Sequence, residues 1–524
     1  MLLATLAVGA PAQAAAAAPG FGERPMRLPA SASAASSGTW LLGVRDGART
    51  SALAARHGAR RTGPGVLQVR RSRARALAAR LRAGGLLRYA EPDARFARQS
   101  AFDAAQDRWA RIAVVPPTSA LAPPAPTVGI GIVDDAVDLS HPDVGPNTVS
   151  ITPEVPVKAP HGTMVASAAA GVNNGTGVLG VLPGNRVVSF GLPDEDITCA
   201  QVTEGVGRLV RTGVKVINLS LGSPSDCFAL FESIQKAYAA GTLVVAAVGN
   251  DFLEGNPVTY PAAYPHVLSV AALNQNLEPS LFSNENTAVD VAAPGERVPV
   301  ATPVALDDDG TRDGLTLQDG TSFASPIVAG AAAWLFAARP GTANGQIADL
   351  LRRTAVDVSR QGYDAGSGFG LINLPRALAA PVPREDPREP NDGITFVDGT
   401  VFSRRAPAVW RGAGRKLVRA TVDEIEDPVD VYRVEIPARA SFSVLLHPTS
   451  GDPDLAIYDR SARTISARPV DTSTRGPGRT DTARLTNRSA TRRTAYIAVT
   501  PSSEQSGVLD AGYRLELRRA PRRR

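Results

Sequence analysis

At 524 residues with 44% hydrophobic content, the chain is too long for one ordinary domain and apolar enough for two or three domains to bury their own cores. The net charge of +6 is uneven: residues 39–100 hold 14 Arg and three acidic residues, residues 101–380 hold 15 basic and 27 acidic residues, and residues 381–524 hold 25 basic and 19 acidic residues. Because the central segment is acidic, the charge does not support nucleic-acid binding. A basic module before an acidic one predicts that the two bind each other.

Residues 1–18 form an apolar, alanine-rich run that ends in small residues. Such a run is typical of a secretory signal peptide, although the usual basic start is missing, and a disordered leader is the alternative. We expect no later run to span a bilayer, and therefore a secreted protein. The only cysteines, Cys199 and Cys227, suit an exported protein with one disulfide, with two buried free thiols as the alternative.

Residues 39–97 are predicted to form a small α+β unit. Its strands are expected at Leu41–Val44, Val66–Val69 and Leu87–Ala90, and its helix at Arg71–Leu86.

Residues 101–380 are predicted to form an α/β domain, because short apolar runs alternate with helical stretches. The expected strands are Val128–Val133, Val187–Phe190, Val214–Leu219, Leu243–Val248 and Val267–Ala271, and the expected helices are Gly162–Ala170, Ala200–Arg211, Ala229–Ala240 and Ser322–Arg339. This alternation predicts a mostly parallel sheet with helices on both faces. Active sites of such sheets lie at the carboxyl ends of the strands.

A linker rich in proline and charge is predicted at residues 381–392, followed by a β-sandwich at residues 393–519. Alternating strands are expected there at Val429–Ile436, Ser441–Leu446, Leu455–Tyr458 and Thr494–Val499. The arginine-rich end of the chain is interpreted as a solvated tail, with contact to the cell envelope as the alternative.

Four residues stand where chemistry is expected. Asp134 ends an apolar strand, His161 begins a small-residue helix, Asn250 follows another strand, and Ser322 lies at a helix N-terminus in Gly-Thr-Ser-Phe-Ala-Ser-Pro. Each alone is explained by a turn, a cap or an ordinary histidine. The order Asp, His, Ser on a parallel framework is the order found in subtilisin. An esterase would need Gly-x-Ser-x-Gly, which the sequence around Ser322 breaks.

These segments resemble the subtilase family of serine proteases. The similarity rests on His-Gly-Thr-Met-Val-Ala from His161, on the motif around Ser322, and on further landmarks at Val216–Gly222, Tyr260–Pro265, Val289–Gly295 and Gly366–Asn373. It implies a subtilisin-like fold and a secreted serine endopeptidase. Ser322 would be the nucleophile, His161 the base, Asp134 its orienting carboxylate, and Asn250 with the Ser322 N–H the oxyanion hole.

The resemblance also implies a substrate-binding set. The residues that would line the primary specificity pocket are Ser220, Leu221, Gly222, Ala246, Ala247, Val248, Gly249 and Thr259. Their small size and lack of charge predict apolar substrate side chains. No cofactor is expected for the chemistry. Subtilases often hold structural calcium, but no metal ligands are assigned: the acidic turn at residues 307–314 lacks alternating ligand spacing and is interpreted as a hairpin turn.

One departure concerns Asp135-Ala136, where subtilases usually have a hydroxyl residue and Gly. Because consecutive strand side chains alternate, Asp135 need not contact His161; if it does, it would raise the pKa of that imidazole. A catalytically silent homologue that acts as an extracellular binding protein is therefore the alternative.

The flanking segments resemble known companions of subtilases. Residues 39–97 resemble the inhibitor-type propeptide, which implies intramolecular inhibition and self-cleavage between Ala94 and Asp107. Residues 388–519 resemble the bacterial pre-peptidase C-terminal domain. The expected partners are protein or peptide substrates and the chain's own propeptide, with no nucleic acid and a monomeric enzyme.

Overall fold

The structure is a computed structural model that describes residues 36–45, 47–63, 66–94, 114, 124–125, 128–193, 197–384, 386, 388–423, 427–502 and 511–520. The predicted signal peptide and the junction expected beyond Ala94 lie outside these residues. The chain divides into two units, residues 1–99 and 100–524.

The first unit contains a four-stranded antiparallel sheet in the order β2-β3-β1-β4. Its elements are β1 (Ser36–Val44), α1 (Ala48–Arg56), β2 (Arg60–Gly63), β3 (Val66–Arg70), α2 (Arg71–Ala83) and β4 (Leu87–Ala94). The apolar side of α2, with Leu77 and Leu81, packs against Trp40, Leu42 and Leu67 in one core. Helix α1 and strand β2 were not predicted.

The second unit begins with a seven-stranded parallel sheet in the order β11-β10-β9-β8-β5-β7-β6. Its strands are β5 (Ile130–Asp135), β6 (Thr148–Ser150), β7 (Val187–Leu192), β8 (Val216–Leu219), β9 (Leu243–Ala247), β10 (Val267–Leu273) and β11 (Val291–Pro294). An antiparallel hairpin follows, β12 (Val298–Ala301) with β13 (Leu315–Gln318). The predicted α/β class with a mostly parallel sheet is confirmed.

Along the chain, helices alternate with the strands of this sheet and pack against it. They are α3 (His161–Ala170), α4 (Cys199–Arg211), α5 (Phe228–Ala239), α6 (Thr321–Ala338), α7 (Asn344–Arg353) and α8 (Leu374–Ala379). Helix α4 lies against one face, where Leu209 fills the space beside Gly131. The predicted disulfide is present: Cys199 at the start of α4 is bonded to Cys227, the N-cap of α5, with Cα atoms 6.5 Å apart.

For helix α6, the prediction about membrane-spanning runs was wrong. By length and composition it is able to cross a membrane, contrary to the prediction that no such run exists, but 83% of it is buried inside the fold. It packs on α3 and on four strands of the sheet, β8 to β11. Its apolar character therefore serves the core of the α/β region.

The rest of the second unit consists of two antiparallel four-stranded sheets, β14-β21-β16-β19 and β15-β20-β17-β18. A short helix, α9 (Ile394–Val397), precedes these sheets in the chain. Their strands are β14 (Lys416–Val422), β15 (Asp430–Ile436), β16 (Ser441–Pro448), β17 (Pro453–Asp459), β18 (Asp471–Ser473), β19 (Asp481–Thr486), β20 (Arg493–Pro501) and β21 (Ala511–Arg519). Side chains of both sheets, among them Tyr432, Phe442, Ile497 and Leu515, share one core. This arrangement is consistent with the predicted β-sandwich.

Candidate active site

Three neighbouring strands bring the candidate residues to one edge of the sheet. Strands β9, β8 and β5 are adjacent and parallel. Asp134 lies at the end of β5, Ser220 directly follows β8, and Asn250 follows β9 by three residues. Since the carboxyl ends of parallel strands meet at one edge, these residues lie close together although they are far apart in sequence.

Asp134 is hydrogen-bonded to His161. The Oδ1 atom of Asp134 lies 2.7 Å from Nδ1 of His161, and the Asp134 side chain is only 4% exposed. Glycine at position 162 permits this approach, because a Cβ there would lie 2.0 Å from the carbonyl oxygen of Asp135. The start of α3 is thereby held against the end of β5. This contact fixes the imidazole with Nε2 facing away from Asp134.

The pKa of His161 is raised above its ordinary value. Burial alone would lower it, but the charge of Asp134 and the hydrogen bond to it favour the protonated imidazole, and the charge of Asp135 adds to the effect. The charge of Asp135 therefore does act on His161. The alternation of side chains along the strand had left open whether the two residues interact. The imidazole is placed to accept a proton and to be stabilised as a cation.

Ser322 is the second residue of α6. Its hydroxyl donates to the carbonyl oxygen of Ser220 at 3.2 Å, and the Ser220 hydroxyl donates to the carbonyl oxygen of Ser322 at 2.7 Å. The turn that precedes it contains Gly320 at φ 152°, a conformation that disfavours other residues. To reach His161, the Ser322 hydroxyl has to turn away from Ser220.

Asn250 is fixed by its amide oxygen. Oδ1 accepts hydrogen bonds from the backbone N–H and from the hydroxyl of Thr321, each at 2.9 Å. The amide nitrogen is thus the group left to donate. The backbone N–H of Ser322 is free of the helical ladder, because the first N–H groups of a helix have no partner within it. Asn250 and Ser322 thus supply two donors at the cleft that both residues line, and the Ser322 N–H lies at the positive end of a helix.

His161, Asn250 and Ser322 line one cleft of about 510 Å³. Its wall includes carboxylates of the β12–β13 hairpin and the segment before α6, namely Asp307, Asp308 and Asp319. Asp307 is buried, and one of its oxygens accepts from the Gly314 N–H at 2.9 Å. The acidic turn at residues 307–314 thus forms the loop of a hairpin beside the cleft.

Three of the residues assigned to the specificity pocket, Gly222, Val248 and Gly249, lie beside Thr259. The Thr259 hydroxyl donates to the Val248 carbonyl oxygen at 2.6 Å. A Cβ at Gly222 would lie 3.5 Å from the Thr259 side chain, and a Cβ at Gly249 would lie only 2.5 Å from Nδ2 of Asn284, so close packing requires glycine at position 249. Ala246 lies wholly inside the sheet.

A second set of polar residues, which sequence reasoning did not assign, lies where the β-sandwich region begins. Carboxylate oxygens of four residues lie within 4.8 Å of one another; we call these residues the carboxylate cluster, Asp386, Glu389, Asp427 and Asp430. Burial and mutual repulsion raise the pKa of all four, to about 6 for Asp386 and to about 8 for Asp430. Potential metal-ligand atoms of Glu389, Asp392 and His266 also lie within 4.8 Å of one another, and His266 belongs to the α/β region.

The carboxylate cluster is chemically suited to a divalent cation. One buried oxygen each of Asp386, Asp392 and Asp427 has no hydrogen-bond partner. Buried carboxylates with unpaired oxygens destabilise a fold unless they are protonated or bind a metal. Oxygen-only ligands from several carboxylates fit Ca²⁺. The sequence signals were Glu389-Pro-Asn-Asp392 and Asp427-Pro-Val-Asp430, which the fold brings together.

Comparison with known proteins identifies the family of residues 126–370. A family model described as "Subtilase family" matches residues 126–370. Subtilisin DY of Bacillus licheniformis is 35% identical over 258 residues, which cover 48% of this chain and 90% of that protein. The chain belongs to the subtilase family. As a subtilase it is a subtilisin-like serine endopeptidase.

Two further comparisons describe how far the similarity to other subtilases extends. Subtilisin amylosacchariticus of Bacillus subtilis subsp. amylosacchariticus is 35% identical over 259 residues, and the match covers 48% of this chain and 65% of that protein. The crystal structure of a psychrophilic subtilisin-like protease from Pseudoalteromonas sp. AS-11 aligns with a TM-score of 0.46 at 19% identity, over 52% of this chain and 97% of that one.

Proposed function

We propose that this subtilase is a secreted endopeptidase that cleaves proteins or peptides with Ser322 as nucleophile, His161 as general base and Asp134 as the orienting carboxylate. The observation that carries the proposal is the 2.7 Å contact of Asp134 with His161 at the cleft that His161 shares with Ser322 and Asn250. The order of these groups along the chain matches subtilisin.

The mechanism follows from these positions. The Ser322 hydroxyl turns to Nε2 of His161, loses its proton to it and attacks the peptide carbonyl carbon. Asp134 stabilises the imidazolium that forms. The oxyanion accepts hydrogen bonds from the Asn250 amide nitrogen and the Ser322 N–H. His161 then protonates the leaving amine, and water hydrolyses the acyl-enzyme by the same route.

The proposed substrate preference is for an apolar side chain before the scissile bond. None of the eight residues assigned to the pocket carries a charge. An uncharged pocket does not offset the desolvation of a charged side chain. The chemistry needs no cofactor.

The flanking segments extend the proposal. Residues 39–97 would act as an inhibitor-type propeptide that the enzyme removes itself, and residues 1–18 would direct export. The C-terminal sandwich would correspond to a pre-peptidase C-terminal domain, with the mature enzyme a monomer outside the cell or at its envelope. The opposite charges of residues 39–100 and 101–380 support binding between propeptide and enzyme.

The decisive experiment is to express the full chain beside its Ser322→Ala variant and measure intact mass. The parent should lose about its first hundred residues, whereas the variant should stay whole. Ser359→Ala, a change at an exposed serine outside the cleft, should mature like the parent. If the Ser322→Ala variant matures as well, Ser322 is not the nucleophile of self-processing.

A silent homologue is the second candidate. It is favoured by the Ser322 hydroxyl, which donates to Ser220 and not to His161, and by the extra carboxylate of Asp135. A fluorophosphonate probe separates the two: an active enzyme is labelled at Ser322, and a silent one is not. Labelling that persists in Ser322→Ala would point to another serine.

We also propose that the carboxylate cluster holds a structural Ca²⁺ ion. Asp386, Glu389, Asp427 and Asp430 would supply its oxygens, and Asp392 would link the site to His266 through the 2.9 Å contact of its Oδ2 with Nε2. The ion would neutralise buried negative charge and join the sandwich to the peptidase region.

A further inference from the structure

A row of three basic side chains crosses the sheet β14-β21-β16-β19. Arg419 of β14 lies directly opposite Arg514 of β21, and Arg514 lies directly opposite His447 of β16. Their neighbours Val418, Leu446 and Leu515 point into the sandwich core. Because side chains alternate along a strand, the three basic groups share the outer face.

A pocket of about 480 Å³ opens at this row; we call it the basic pocket. Its lining includes Arg384, Arg419, Arg514 and His447, together with the small polar residues Thr421 and Thr449. The Nε atom of Arg514 is buried and has no hydrogen-bond partner. Among the residues that the structure describes, none of the three arginines Arg384, Arg419 and Arg514 forms an ion pair.

Two carboxylates lie near the pocket, Asp386 and Glu516, against three arginines and His447. Glu516 forms ion pairs with Arg415 and Arg518 and lies 3.8 Å from Nε2 of His447. Asp386 also lines the pocket, but its carboxylate accepts a hydrogen bond from the Arg388 N–H at 3.2 Å and belongs to the carboxylate cluster. The basic pocket thus keeps an excess of positive charge.

This arrangement is unfavourable in the absence of a ligand. Like charges directly opposite on neighbouring strands destabilise a sheet. A buried guanidinium N–H without an acceptor adds a desolvation cost. Burial lowers the pKa of His447, and the charges of Arg514, Arg415 and Arg518 lower it further, while Glu516 opposes them. An anion in the pocket would relieve both costs and would favour protonated His447.

We propose that the basic pocket binds an oxyanion, a phosphate or carboxylate group, with Arg419 and Arg514 as its principal donors and His447 as the group that gains a proton on binding. Arginine forks match both kinds of anion. The site lies on the C-terminal sandwich and its residues are not part of the catalytic cleft. It would therefore attach the enzyme to a ligand with acidic groups without occupying the active site.

Titration calorimetry on the full chain carrying Ser322→Ala, which prevents self-digestion, tests the proposal. Inorganic phosphate at constant ionic strength should bind, and Arg514→Gln should weaken it at least about tenfold, the loss of one charge-assisted hydrogen bond. Arg484→Gln is the matched control, since Arg484 is exposed on the same sheet outside the pocket. Arg419→Gln serves if Arg514→Gln does not fold.

Acetate in place of phosphate shows which oxyanion the pocket prefers. Tighter binding of phosphate would point to phosphate-bearing ligands, and tighter binding of acetate to carboxylate-bearing ones. Equal affinity of the Arg514 and Arg484 variants, or no binding of either anion by the parent at millimolar concentration, would overturn the proposal.

A pH series separates this site from general attraction of anions. Sulfate, whose charge is constant, should bind more tightly at pH 5.5 than at pH 8, because the bound anion favours protonated His447. His447→Asn should remove that difference while Arg484→Gln keeps it. In NMR spectra, sulfate should move the titration of the His447 ring to higher pH. An unchanged titration contradicts the role given to His447.

Discussion

The amide oxygen of Asn250 accepts two hydrogen bonds from Thr321, one from its backbone N–H and one from its hydroxyl. Thr321 directly precedes Ser322, and its hydroxyl also accepts from the Gly249 N–H at 3.3 Å. One threonine thus fixes the direction of the proposed oxyanion donor and ties it to the serine helix.

The first prediction concerns this donor. Asn250→Ala should lower kcat about 100–1,000-fold with a small effect on KM, because its donor acts on the oxyanion more than on the substrate. Thr321→Val should lower kcat by roughly tenfold through loss of one anchoring hydrogen bond, and Thr321→Ser should restore it. Steady-state kinetics on a peptide anilide measures this. A Thr321→Val effect confined to KM would contradict the positioning role.

The second prediction concerns pH. The base must be neutral, so kcat/KM falls as the pH drops through the pKa of His161. Because Asp135 contributes to the raised pKa of His161, Asp135→Asn should move this acid limb to lower pH. Glu154→Gln, at an exposed position, should leave the profile in place. A shift to higher pH would show that Asp135 acts by other means.

The third prediction concerns calcium. On the Ser322→Ala chain treated with EDTA, Ca²⁺ at about 1,000 times its Kd should stabilise the fold by about 4 kcal/mol and raise Tm by roughly 10 °C. Asp430→Asn should abolish the gain, because it removes a buried carboxylate of the cluster. Asp308→Asn, in the acidic turn at residues 307–314, should keep it. A gain lost in Asp308→Asn and kept in Asp430→Asn would place the ion at the turn.

The same site predicts a pH effect in the EDTA-treated protein. The folded pKa of Asp386, about 6, and of Asp430, about 8, lie above the ordinary value near 4. A raised acid pKa means that the folded state holds protons that the unfolded state releases. The contribution of these two protonated carboxyl groups to the free energy of unfolding is therefore fully present below about pH 4, and it is lost as the pH rises towards 8. Calcium should remove this loss, which thermal scans from pH 5 to 8 would measure.

The fourth prediction concerns the disulfide. Cys199 and Cys227 are separated by 28 residues, so their bond should contribute about 3–4 kcal/mol to the free energy of unfolding. The double variant Cys199→Ala/Cys227→Ala, in the Ser322→Ala background, should unfold at lower urea concentration. Reductant should destabilise the parent and leave the double variant unchanged; equal sensitivity would contradict the assignment.

Much of the α/β region could be predicted because its strands are continuous apolar runs. Strand β9 at Leu243–Ala247 and helix α4 at Cys199–Arg211 differ from the predicted bounds by one residue at one end. Strand β6 was missed because it has only three residues and an exposed Val149. The acidic turn at residues 307–314 was predicted as a hairpin turn and does lie between the paired strands β12 and β13, although the two strands themselves were not assigned.

The sequence could predict only those parts of the candidate site that lie in short motifs. Asp134, His161, Asn250 and Ser322 each stand in a short distinctive segment, and the fold brings their elements together. The anchoring of Asn250 by Thr321 joins residues 71 positions apart. The contact of His266 with Asp392 joins residues 126 positions apart. No local pattern reports such pairs, because they depend on how the strands are ordered.

The position of α6 has a consequence for synthesis of the protein. Ser322 is the second residue of this helix, and the helix packs on strands β8 to β11, which are all made before it. While the chain emerges from the ribosome, strand β5, which contains Asp134, and strand β9, which Asn250 follows, are complete long before the serine arrives. With Ser322 as the proposed nucleophile, the nascent chain would lack hydrolytic capacity until more than half of it has been translated.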